Sequence, residues 1–239
     1  MNGKVLIYGG SGAVGYASAK ILKEKGYELH LVGSNAEKLG KVADELGASS
    51  TVCDLNDPAS YKKVSKEAGK ELAGLVYAVG TINLKSIRRL EEEDFLNDFR
   101  LNALGAALAV KNSLSALKKG KASIVLYSSV AVGQGLSMHA SLSMCKGAVE
   151  GLTRSLSAEL APNIKVNAIA PSLLEDSSLS SGILKNDEAI EKMAGTHALK
   201  KLGKAEDIAS LTSFLISDNA NWITGQVIGV DGGRSVIQA

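Results

Sequence analysis

Short apolar runs alternate with helix-patterned stretches along the chain. Val5-Leu6-Ile7-Tyr8, Leu29-His30-Leu31-Val32, Thr51-Val52-Cys53, Gly74-Leu75-Val76-Tyr77-Ala78, Ser123-Ile124-Val125-Leu126-Tyr127, Ile164-Lys165-Val166-Asn167-Ala168-Ile169 and Gln226-Val227-Ile228-Gly229-Val230 all read as strands. Most are apolar at successive positions rather than at alternate ones, the pattern of strands covered on both faces. Between them the spacing predicts helices over residues 14–25 and 36–46, after Pro58, over 91–117 and over 141–160. Strand and helix in strict alternation imply parallel strands joined by right-handed crossovers. The predicted fold is α/β: a Rossmann-like, doubly wound parallel sheet of about seven strands with helices on both faces, a three-layer α/β/α arrangement.

Composition narrows the picture. The chain has 239 residues, 45% of them hydrophobic and 22% charged, which suits one globular domain over residues 1–239. Net charge is only +2 with acids and bases mixed, so no nucleic-acid partner is expected. The first apolar run is too short for a signal peptide or a membrane span, and a cytoplasmic protein is expected. Cys53 and Cys145 lack metal-ligand spacing and read as reduced, buried thiols. The helix over 141–160 carries small residues on several faces (Ala148, Gly151, Ser155, Ala158), consistent with close packing on its own sheet or against a second subunit.

Candidate chemistry begins at the first strand–helix junction. Tyr8-Gly9-Gly10-Ser11-Gly12-Ala13-Val14-Gly15 places glycines where a backbone turns tightly beside a pyrophosphate, and the N–H groups at the helix start then bind the anion. A strand before and a helix after supply the context such a loop requires. Gly9, Ser11, Gly12, Val14 and Gly15 are therefore candidate dinucleotide ligands. After the second strand an Asp or Glu would bind the ribose 2′-hydroxyl of NAD. This chain has Gly33-Ser34-Asn35 instead, which favours NADP(H) over NAD(H) because no carboxylate repels a 2′-phosphate. Ser34 and Asn35 either donate hydrogen bonds to that phosphate or cap the next helix. Asp54, with Leu55 beside it, either meets the adenine amino group or caps the helix that follows.

With these pieces in place the chain resembles the short-chain dehydrogenase/reductase family over nearly its full length. The glycine loop is similar to Thr-Gly-x-x-x-Gly-x-Gly, with Tyr8 for Thr and Ala13 for the middle Gly. Asn102-Ala103-Leu104-Gly105 matches the family's helix asparagine. Val166-Asn167-Ala168-Ile169-Ala170-Pro171 matches the segment before the substrate loop, where Ser172 replaces Gly. Gly225 to Gly233 resembles the C-terminal signature. The resemblance implies an NAD(P)(H)-dependent oxidoreductase interconverting a small carbonyl and an alcohol, assembled as a homotetramer or homodimer. It assigns Ser129 to polarise the carbonyl, Lys146 to bind the nicotinamide ribose, and Asn102 to hold a water. Ala78, Gly80 and Pro171 fall at the nicotinamide end of the cofactor.

Three departures fall at the centre. The segment after the fourth strand is Tyr77-Ala78-Val79-Gly80 where the family has Asn-Asn-Ala-Gly. Asp176 stands at the Thr that meets the nicotinamide amide, with Ser177 next to it as a substitute. Leu142 stands at the tyrosine that donates the proton, and leucine has no proton to give. Losing a positioned acid typically costs ~10²–10⁴ in rate. His139, three positions earlier, is a substitute donor if the helix already extends there, and otherwise a helix-start residue. A water held by Ser129 and Lys146 is another, and Tyr127 a third; the alternative is a catalytically silent dinucleotide-binding protein. Residues 172–201 form the lid, whose Leu173, Leu174, Leu179, Ile183, Leu184 and Met193 either meet a moderately apolar substrate or pack the lid down. His197 reads as structural.

Overall fold

The computed structural model describes residues 2–237. The chain forms a seven-stranded sheet in the order β3-β2-β1-β4-β5-β6-β7, with every neighbouring pair parallel. The strands are β1 (Lys4–Tyr8), β2 (Glu28–Gly33), β3 (Ser49–Val52), β4 (Gly74–Tyr77), β5 (Ser123–Tyr127), β6 (Lys165–Pro171) and β7 (Val227–Val230). The expected doubly wound fold is present, and each apolar run lands on a strand.

Side-chain alternation along the strands divides the core in two. Leu6, Tyr8, Leu75, Tyr77, Ile124 and Leu126 face a layer made by α3 (Pro58–Ala68), α5 (Gly105–Lys119) and α7 (Ala140–Leu160). Val5, Ile7, Leu31, Val76, Val125 and Tyr127 face the other layer, made by α1 (Ala13–Glu24), α2 (Ala36–Leu46) and α9 (Ala205–Ile216). Burying both faces is what makes these strands continuously apolar. The order of the sheet reverses between β1 and β4, so a crevice opens beyond the carboxyl ends of these strands, where doubly wound folds bind their ligands.

The helix expected over 91–117 is more structured than its periodicity implies. It consists of α4 (Glu92–Phe99), a π-helical turn (Arg100–Leu104) and α5, continuous in the chain. A π turn carries one extra residue, and such turns concentrate at functional sites. Asn102 sits within it, and the Tyr77 hydroxyl donates to the Leu101 carbonyl at 2.7 Å, fixing the turn against β4. After β5 come a short α6 (Val130–Gly133) and then α7. Beyond β6 lies the lid with α8 (Asp187–Gly195), stitched to the body by a parallel bridge between Leu174 and Gly203. No helix among the described residues is long and apolar enough to cross a membrane, and no group of His, Cys, Asp or Glu among them could hold a metal ion.

Candidate active site

The glycine loop is built for close approach. Gly9 has φ 77°, and a Cβ there would lie 2.5 Å from the Ala78 carbonyl oxygen; a Cβ on Gly15 would collide with the Gly9 carbonyl oxygen. These two glycines let β1, β4 and α1 converge. Gly12 is the N-cap of α1, makes no side-chain cap bond, and no acid stands in the first turn. Among the described residues no side chain caps the first N–H groups of α1, which is the arrangement an anionic diphosphate fits.

Farther along the same edge, Asn35 caps α2, its Oδ1 accepting from Lys38 N at 2.9 Å. The capping role is thus occupied by its oxygen, and among the described residues neither its amide nitrogen nor the Ser34 hydroxyl has a hydrogen-bond partner. Asp54 does not cap α3: Asp57 does, accepting from Ala59 N at 2.9 Å. Asp54 Oδ1 instead holds the backbone and side-chain nitrogens of Asn56, each at 2.9 Å. Leu55 is buried in the core, and its carbonyl accepts from the Tyr61 hydroxyl at 2.9 Å.

The cleft beyond β4, β5 and β6 is lined by Val14, Ala78, Gly80, Thr81, Ser129, Leu142, Lys146, Pro171 and Ser177, among others. It brings together most of the residues singled out for chemistry. Ser129 is the N-cap of α6: its Oγ accepts from Ala131 N at 3.2 Å, which leaves the hydroxyl proton free to point at a substrate oxygen. Lys146, 7% exposed, donates from Nζ to the Tyr127 carbonyl at 3.0 Å and keeps two donors for the cleft. Burial lowers its pKa to about 8, against the opposing pull of nearby Cys145 and Asp98. Asn102 is 1% exposed and does not line the cleft directly; Nδ2 donates to Thr81 Oγ1 at 2.9 Å and to the Asp98 carbonyl at 2.8 Å. Its Oδ1 is buried with no partner. A Cβ on Gly80 would lie 3.0 Å from that oxygen and 3.3 Å from Lys146 Nζ, so the two groups converge on one glycine.

Leu142, which the family resemblance sets at the tyrosine position, lines the cleft and is buried. His139 does not line this cleft. The helix α7 begins at Ala140, which puts His139 outside the helical register that would have placed it one turn before Leu142. Its Nδ1 pairs with the Ser137 carbonyl at 2.7 Å, and its side chain lies in a separate groove with Lys85, Ile87 and Met138. Tyr127 does line it, but its hydroxyl is turned away. Its hydroxyl pairs with Thr212 Oγ1 at 2.7 Å in the α1/α9 layer, and burial pushes its pKa up to about 12. Strand parity carries Tyr127 to the face opposite α7, and only its carbonyl reaches Lys146.

Asp176 also leaves the cleft. Both of its carboxylate oxygens accept from Ala205 N, at 3.1 and 3.0 Å, closing the N-terminus of α9. Ser177 lines the cleft in its stead. His197 is buried and ties the lid down: Nδ1 meets the Met193 carbonyl at 2.9 Å and Nε2 meets Ser172 Oγ at 2.8 Å.

The reading from sequence missed a buried acid. Asp98 is 4% exposed, accepting from Thr81 Oγ1 at 2.6 Å and from Ser141 Oγ at 2.5 Å. Its position carried the signal: Asp98 and Asn102 stand four apart on one helical stretch and so share a face.

Comparison with known proteins agrees with this geometry. The family model described as enoyl-(acyl carrier protein) reductase matches residues 10–235. The chain is 32% identical over 243 residues to a tropinone reductase homolog of Arabidopsis thaliana, covering 97% of this chain and 91% of the relative. It is 30% identical over 253 residues to a versicolorin reductase of Emericella nidulans, covering 98% and 96%. A solved short-chain dehydrogenase/reductase of Brucella melitensis, described as a glucose/ribitol dehydrogenase, superposes with a TM-score of 0.92 at 29% identity, covering 100% of this chain and 98% of the other. The chain belongs to the short-chain dehydrogenase/reductase family. That family consists of NAD(P)(H)-binding oxidoreductases, and the uncapped helix start and the converging glycines fit such a cofactor.

Proposed function

We propose that this protein is an NADP(H)-dependent reductase of small, moderately apolar carbonyl compounds in which Lys146 supplies the proton that a tyrosine would otherwise supply. A nicotinamide dinucleotide, when bound, supplies or accepts the hydride. Gly9, Ser11, Gly12, Val14 and Gly15 hold its diphosphate; Ser34 and Asn35 meet the 2′-phosphate; Asp54 and Leu55 border the adenine; Ala78, Gly80 and Pro171 border the nicotinamide end. The Ser129 hydroxyl donates to the substrate carbonyl oxygen and orients it. The Lys146 ammonium gives that oxygen its proton, and the product is an alcohol. Leu173, Leu174 and Leu179 on the lid exclude water from the reacting face.

The observation that carries the reading is the position of Lys146. It is a cleft-lining ammonium beside Ser129 and Leu142, with a pKa of about 8, close to a working pH and therefore suited to giving and taking protons. The missing tyrosine favours a second reading, a dinucleotide-binding protein without turnover. Trp222 is fully exposed and precedes β7, at the end of the sheet away from the cleft, so the cofactor's own emission is the better probe. NADPH emission titrated with the chain, followed by its decay against a panel of apolar ketones, separates the two readings. Saturable binding with decay supports the reductase, whereas saturable binding without decay on any ketone leaves the silent protein.

A homotetramer or homodimer is part of the same proposal. Leu96 and Phe99 on α4, Leu104 in the π turn and Met144 on α7 are all at least 40% exposed, which favours a second copy against these helices. Light scattering that returns the mass of one chain would contradict it.

A further inference from the structure

Asp98 is a carboxylate the reaction as described does not use, and carboxylates are seldom buried without a partner or a purpose. Two hydroxyls donate to it, Thr81 at 2.6 Å and Ser141 at 2.5 Å. Neither neutralises the charge. Thr81 is the link outward: it lines the cleft, and its Oγ1 also accepts from Asn102 Nδ2 at 2.9 Å. Asn102 is doubly tied to Asp98, through Thr81 and through the Asp98 carbonyl at 2.8 Å. With both amide hydrogens so committed, its Oδ1 is turned to Gly80, where Lys146 Nζ also arrives. Ser141, Asp98, Thr81 and Asn102 thus form one hydrogen-bonded chain from the first turn of α7 to the wall beside the lysine.

We infer that Asp98 is a positioning residue for Lys146: a buried counter-charge that, through Thr81 and Asn102, keeps the lysine ammonium charged in a cleft that Leu142 lines. The inference rests on the reading of Lys146 as proton donor. The surroundings leave Asp98 as the charge that acts. From its own helix Lys146 meets the Cys145 thiol, which burial pushes up to about 11 and keeps neutral. Glu150, one turn on, is engaged by Ser128 Oγ at 2.8 Å and by Arg154. β5 offers the Tyr127 carbonyl only, its phenol lying on the other face. Gly80 and Thr81 bring no charge. From α4 the influence on Lys146 is that of Asp98, which favours the ammonium.

The test is a titration of the Lys146 ammonium in the chain without cofactor, by carbon NMR with lysine labelled at Cε, the resonance assigned by its loss in Lys146→Met. In Asp98→Asn the midpoint should fall by about tenfold in proton affinity, the size expected of one nearby charge at low dielectric. Thr81→Val, which keeps the charge and breaks the chain, should move it by about threefold, and Asp98→Glu should restore most of the shift. A midpoint unchanged in both Asp98→Asn and Thr81→Val overturns the inference, and Thr81→Val leaves the test open should Asp98→Asn fail to fold. NADPH decay in the same variants is read separately. A moved midpoint with no decay in any chain, native included, sinks the reductase reading and leaves the coupling of Asp98 to Lys146 intact.

Discussion

The two ends of the cleft make an instructive pair. At the end proposed for the cofactor, between β1 and α1, the geometry is set by backbone: converging glycines and a helix start with no side-chain cap. At the end proposed for proton transfer, between α4, α6 and α7, the geometry is set by side chains: Leu142 lines the wall where the family resemblance leads one to expect a phenol, and Asp98, Thr81, Ser141 and Asn102 are hydrogen-bonded to one another. Backbone sites tolerate little change because a single Cβ closes them. Side-chain sites are open to replacement wherever another group can reach the same charge or proton. The comparison explains how one molecule can keep a glycine loop intact while the side chains of a neighbouring wall change.

Breaking the proton end should give the largest effect. Lys146→Met is expected to lower the rate of ketone reduction by ~10²–10⁴, the contribution of a positioned acid, measured by NADPH decay in single turnover. If Lys146 only gripped the ribose, the loss would appear in NADPH affinity and disappear at saturating cofactor. Restoring the other arrangement should raise the rate. Leu142 lies on the cleft wall, so Leu142→Tyr puts a phenol beside Lys146, and a gain of about tenfold or more is expected. No gain at all would show that the cleft is no longer shaped for tyrosine.

The cofactor end is broken by a methyl group. Gly15→Ala drives a Cβ into the Gly9 carbonyl, so NADPH affinity should collapse in calorimetry and thermal stability should fall by about 1–3 kcal/mol, the usual cost of overpacking. Unaltered binding would mean that the loop does not hold the diphosphate. A smaller effect concerns neither end. His30, buried between β1 and β3, pairs Nδ1 with Ser49 Oγ at 2.8 Å and Nε2 with Thr51 Oγ1 at 2.9 Å, and burial lowers its pKa from 6.5 to about 4. Between those values the unfolded chain binds the proton and the folded one does not, so stability rises with pH across that window and is lost on acidification. Denaturant unfolding between pH 4 and 6.5 should show that slope, and His30→Gln should flatten it.

The contrast also explains what the sequence disclosed. Continuous apolar runs in strict alternation with helical periodicity dictate a parallel sheet covered on both faces, so strand number and layering were legible from β1 to β7. The glycine loop was legible because its constraint is local, one strand, one turn and one helix start. The proton end was not. Thr81, Asp98 and Ser141 lie on a loop and two helices, and only the packing of α4 on α7 brings them together. Asp98 read alone is one more acid on an acidic helix, following Glu92, Glu93 and Asp94. The π turn that holds Asn102 leaves no mark in hydrophobic periodicity. His139 illustrates the same limit: three residues from Leu142 would be one helical turn if α7 began earlier, but it begins at Ala140 and the residue faces another groove. Asp176 differs again, since a carboxylate near a helix N-terminus is drawn to the free N–H groups of α9.

The measurement that bears most directly on the account is the pH dependence of single-turnover oxidation of bound NADPH by the native chain. With Lys146 as the acid and its pKa lowered to about 8, reduction should be fastest below that value and fall as pH rises through it, because the ammonium is lost. A rate that does not change from pH 6.5 to 9.5, or one that rises across that range, would contradict proton donation by Lys146.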